Sequence, residues 1–148
     1  MTDLKDIYSS PLLELAADIP HSRRLEAPDA TATAYSKLCG SKVTVDLKME
    51  GERIIDFGQT VKACLLGQSS ASIVGRHVVG ATAAEMRSVG AAMRKMLKEG
   101  GPVPNNGWEE LKLLEPVREY KARHASTLLV FDAVEDAIGQ IEARRGSA

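Results

Sequence analysis

Aromatic residues make up only 4% of this chain, so aliphatic side chains and alanine must build its core. Charge of either sign is not in excess: 19 lysines and arginines face 20 aspartates and glutamates. No global basic field exists to hold nucleic acid or an anionic membrane surface. No apolar run reaches the length that spans a bilayer, and the opening "MTDLKDIYSS" is too acidic and polar for a signal peptide. These absences predict a soluble, cytoplasmic protein. Cysteine is also scarce, with two in the whole chain, Cys39 and Cys64. A structural disulfide is a poor use of two thiols in a reducing compartment. Two are also too few for a four-thiolate metal site, so histidine, aspartate or another chain must complete any metal shell.

What is present fits one domain. A chain of 148 residues is long enough to bury a core without staples. From Leu4 to Ile19 apolar residues recur at helical spacing; Pro11 interrupts them, Ser10 is a natural N-cap, and Pro20 ends the run. The text from His21 to Ser36, rich in small polar residues, reads as loop. In "KVTVDLKM" Val43, Val45, Leu47 and Met49 alternate with polar residues, the pattern of a strand with one buried face. Glu50-Gly51-Glu52 is a turn, "RIIDFGQ" a hairpin partner, and a third strand is expected over about Thr60 to Cys64. "GQSSASIVGRHVVG" is a short helix of small residues, suited to packing close to the sheet. The next helix opens on Thr82 with Glu85 three residues on, a capping box, and buries Met86, Val89, Met93, Met96 and Leu97 before paired glycines. A last helix is expected from about His124 to Arg144. The order predicts an α+β fold, a three-stranded antiparallel sheet with helices on one face. Its parts are an N-terminal helix and loop (1–37), the sheet (38–64) and a helical part (65–145).

Three positions carry chemistry. Cys39 stands where a loop enters the first strand, Cys64 at the end of the third, and His124 at the start of the last helix. Strand ends and helix N-termini can meet in space, and a helix N-terminus favours negative charge. Against this stands a purely structural reading, since a lone cysteine is most often a small buried hydrophobe. The spacing shows no CxxC pattern. His77 reads as a partly buried helix residue and His21 as part of a solvated basic turn, "PHSRR".

The segments "LCGSKVTVDLKM", "KACLLGQSSAS" and "ARHASTLLVFDAVEDAI" resemble the three cysteine-bearing segments of the U-type iron–sulfur cluster assembly scaffolds, the IscU-like and NifU N-terminal group. "DIPHSRRL" is similar to the turn that follows that family's first helix. The resemblance runs from about Leu12 to Ile141. It implies a non-enzymatic scaffold or carrier that binds a transient cluster, of 2Fe-2S type, or zinc. Cys39 and Cys64 would be thiolate donors or persulfide acceptors and His124 an imidazole donor. Thiolates hold such clusters, with occasional histidine substitution, and Gly40 would let a cluster approach the backbone.

Two departures from the family pattern shape the site. Ser41 stands where the family has aspartate, and the third cysteine falls on Ser126 or on Ala125, depending on the register chosen. Ser41 and Ser126 are then weak oxygen ligands or hydrogen-bond donors to sulfur. With three good donors, a dimer-bridged cluster or an exogenous thiol would complete the shell. The partners implied are a cysteine desulfurase and apo iron–sulfur recipient proteins, with the chain a monomer or weak dimer. "VREYKAR" is closer to the zinc-containing branch, which implies a sulfur acceptor for a desulfurase as the alternative. A further alternative is a protein-binding module that has lost its metal.

Overall fold

A computed structural model describes residues 9–37 and 40–146. The first helix, α1 (Ser10–Ala17), places Ser9 at the N-cap position and Pro11 in its first turn. Proline is tolerated there because its missing N–H would be unpaired anyway. Leu12 and Leu15 bury one face.

The sheet is three-stranded and antiparallel, in the order β1 (Ala30–Ser36), β2 (Ser41–Glu50), β3 (Arg53–Lys62). The fold class expected from the sequence is the one found, but two strands differ from their expected positions. The first strand lies in what read as loop, so the sheet begins inside the segment assigned to the N-terminal helix and loop. In "ATATAYS" alanine and threonine alternate, with too little hydrophobic contrast to mark a strand. Pairing with β2, from Ala30 opposite Leu47 to Ser36 opposite Ser41, makes it one. The expected second and third strands are one continuous β3. Its ladder with β2 runs through Gly58 opposite Asp46 and Gln59 opposite Val45. Gly58 is there for space: a Cβ at this position would stand 2.3 Å from the Arg23 carbonyl oxygen. A glycine inside a strand can mark close approach of another backbone as well as a break.

The alternation in β2 holds, with Val43, Val45, Leu47 and Met49 buried. Helix α4 (His124–Gly146) covers the inner face of β1 and β2. Helix α2 (Leu65–His77) packs mainly between α1 and α4, less on the sheet, which corrects the expected placement of its small residues. Its buried serines find acceptors on those neighbours: Ser69 Oγ donates to the Leu12 carbonyl at 2.8 Å and Ser70 Oγ to the Thr127 carbonyl at 2.7 Å. Ser72 Oγ donates to the Asp18 carbonyl at 3.0 Å. Small side chains let the helices close, and each hydroxyl is satisfied across the contact.

Helix α3 (Ala83–Glu99) shows the Thr82 half of the expected capping box, while the Glu85 carboxylate accepts from Trp108 Nε1 at 2.9 Å instead. The Glu85 N–H donates to Thr82 Oγ1 at 3.1 Å, and Gly100 ends the helix at a φ of 68°. Two 3-10 stretches, Glu109–Glu119 and Lys121–Arg123, lead from α3 to α4. Among the described residues no helix is long and apolar enough to cross a membrane.

Candidate functional site

Three element starts converge: β2 at Ser41, α2 after Cys64, and the first turn of α4 at Ser126. Cys64 occupies the N-cap position of α2 in extended conformation and is half-buried. Its Sγ lies 2.9 Å from Ser126 Oγ. The Cys64 N–H donates to Ser41 Oγ at 3.4 Å, and the two serine hydroxyls are 3.5 Å apart. Both serines are buried, so the half-buried thiol is the more accessible member of the group.

Local sequence explains how the three starts close. Gly67, in the first turn of α2, faces α4: a Cβ there would lie 2.7 Å from Ala63 Cβ and 3.2 Å from the Ser126 carbonyl oxygen. Ser70 ties α2 to the Thr127 carbonyl, and Thr127 Oγ1 donates back to the Arg123 carbonyl at 2.8 Å. Ahead of β2, Gly40 has a φ of 66°, a backbone geometry that glycine adopts without steric cost.

The other residues picked out from sequence fall as follows. Cys39 lies outside the described residues. His124 is buried, and its Nε2 lies 3.0 Å and 3.2 Å from the carbonyl oxygens of Val117 and Arg118. Two carbonyl partners require Nε2 to carry the proton, which leaves the lone pair of the neutral ring on Nδ1. A metal-ligating histidine is commonly oriented in this way, by a carbonyl on its other nitrogen. Of the two positions considered for the third cysteine, Ala125 is exposed and Ser126 is buried against Cys64. His21, at a φ of 59°, sets its ring edge-on to Phe57, and its carbonyl accepts the Gln59 N–H. His77 lies beside Glu110 and Trp108. Among the described residues no three histidine, cysteine, aspartate or glutamate side chains come together as a metal shell.

One network escaped sequence reasoning. Asp46, buried on the outer face of β2, accepts from Arg24 Nε at 2.7 Å, Thr31 Oγ1 at 2.6 Å and the Leu25 N–H at 3.0 Å. Burial pushes its carboxyl up, but these donors and the Arg24 charge together hold it below the ordinary carboxylate value. The basic turn "PHSRR" is therefore docked on the sheet through Arg24 rather than only solvated. The available signal was an aspartate in the middle of a strand, which requires partners once buried.

No family model matches the chain. A curated relative, the iron–sulfur cluster assembly scaffold protein IscU of Thermotoga maritima, is 25% identical over 139 residues, covering 93% of this chain and 96% of that one. The N-terminal part of a nitrogen-fixing NifU-like protein from Brucella abortus has a solved structure that is 54% identical. It superposes with a TM-score of 0.93 over 95% of this chain and 97% of its own. A second structure, a scaffold-protein candidate for the SUF system of Fervidobacterium islandicum, shares the fold. Its TM-score is 0.82 at 20% identity, over 91% of this chain and 98% of that one.

Proposed function

This chain belongs to the U-type iron–sulfur cluster assembly scaffold family, the IscU-like and NifU N-terminal group, and on that footing we propose that it is a scaffold on which a cluster is built and passed on. The observation that carries the reading is the Cys64–Ser126 contact at the meeting of three element starts. Cys39 precedes Ser41 by two residues in the chain, and Ser41 is part of that meeting.

In this reading Cys39 and Cys64 are the thiolate donors. An accessible cysteine can also take sulfur: its thiolate attacks the outer sulfur of a desulfurase persulfide, and the desulfurase leaves as thiolate. Ser126 and Ser41 hydrogen-bond to sulfur or offer weak oxygen ligation. His124 contributes through Nδ1, because its Nε2–H is committed to two carbonyls. Two thiolates per chain leave the shell short of the four usual for a cluster. A second chain or an exogenous thiol therefore completes it, and this incomplete ligation favours release to apo recipient proteins.

Anaerobic reconstitution with ferrous iron and sulfide tests the proposal, with iron and sulfide counted per chain. Wild type should hold both in equal amounts, and Cys39→Ala and Cys64→Ala should each lose most of them. Equal retention by a folded Cys39→Ala/Cys64→Ala variant would reject these cysteines as the scaffold site, and no retention by wild type would leave a protein-binding module.

A further inference from the structure

A cavity of about 360 Å³ opens where the end of α3, the second 3-10 stretch and the start of α4 meet. Its walls are Leu97, Lys98, Arg118, Lys121, His124 and Ala125. Three of these six side chains are cations at neutral pH and none is an acid. Lys98 and Lys121 are exposed, and among the described residues neither is in an ion pair. Arg118 is partly engaged: its Nη2 donates to Glu115 at 3.0 Å and to the Gly101 carbonyl at 3.4 Å. Its Nε–H is buried and has no acceptor.

Like charges gathered around one concavity repel each other. A bound anion relieves that repulsion. We propose that this cavity binds a small organic anion through its carboxylate groups. The volume falls in the range of small-molecule sites and exceeds what one inorganic phosphate fills. Leu97 and Ala125 give it an apolar wall, which suits carbon between charged ends. A carboxylate can pair with the Lys98 and Lys121 ammonium groups and with the partly exposed Arg118 guanidinium. His124 and Ala125 immediately precede Ser126, so the occupant sits against the helix start that meets Cys64. The inference stands on the cavity alone and does not require a cluster.

The test uses the metal-free full chain, followed by ¹H–¹⁵N spectra during titration with glutarate and, separately, inorganic phosphate at constant ionic strength. Glutarate should give saturable shifts at the amides of Lys98, Arg118, Lys121 and Ala125. Phosphate should bind about tenfold more weakly or less. The Lys98→Gln/Lys121→Gln variant, which alters only exposed side chains, should weaken glutarate by about tenfold, the sum expected of two exposed charges. Absence of saturable shifts at these amides overturns the proposal, as does unchanged affinity in the double variant. Phosphate binding as tightly as glutarate overturns the assignment to carboxylates.

Discussion

Cys64 Sγ and Ser126 Oγ, 62 positions apart in the chain, stand 2.9 Å apart where α2 and α4 begin. This contact sets a hydroxyl beside the thiol at one of the two positions where the resemblance allows a third cysteine. It also makes the site's chemistry open to direct alteration.

Ser126→Cys should increase anaerobic iron and sulfide retention over wild type, because it adds a thiolate donor beside Cys64. Ala125→Cys should leave retention unchanged, since successive helix residues point about 100° apart and Ala125 is exposed. In air, the Ser126→Cys protein should lose two titratable thiols, as the introduced thiol forms a disulfide with Cys64. A gain in retention for Ala125→Cys alone would assign the other register.

His124 separates structure from ligation. His124→Ala removes the donor to the Val117 and Arg118 carbonyls and should cost about 1–3 kcal/mol in urea unfolding. His124→Gln can keep an amide N–H in that place and should recover much of the loss. Both variants should bind iron and sulfide less well if Nδ1 is a donor. Full retention in His124→Gln would remove the imidazole from the shell.

Gly67→Ala should lower stability by about 1–3 kcal/mol despite the better helix propensity of alanine. The added methyl meets Ala63 Cβ at 2.7 Å and the Ser126 carbonyl at 3.2 Å, neither of which is the end of a flexible chain. Denaturant midpoints measure the cost, and Cys64 alkylation rates should rise as the α2–α4 contact loosens.

Asp46→Asn tests the docked turn. The folded carboxyl sits below its unfolded value, so its contribution is present above the ordinary carboxylate range and is lost as pH falls through the folded value. At pH 7 the substitution should cost on the order of 2 kcal/mol. The difference between wild type and variant should shrink below about pH 4. A gap that stays constant down to pH 2 would show that the charge on Asp46 is not what holds the turn.

Local patterns were sufficient for part of this protein. The α3 cap at Thr82, its glycine stop and its methionine face could be read in sequence because neighbours three or four residues apart decide them. The same holds for the buried face of β2, where period-two alternation is strong. Strand β1 could not be read this way: alanine and threonine differ little in polarity, and only registry against β2 makes "ATATAYS" extended. Gly58 lay inside the expected hairpin partner, but its purpose, room for the Arg23 carbonyl, comes from a residue 35 positions earlier. The candidate site divides along the same line. Both cysteines, His124 and the two serines were visible as residue types at suggestive places. That Ser126 rather than Ala125 meets Cys64, and that the His124 Nε2 faces backbone carbonyls, depends on the rotation of α4 about its axis. Packing against α2 and the sheet sets that rotation, and these contacts join residues too distant in the chain for any local pattern to encode.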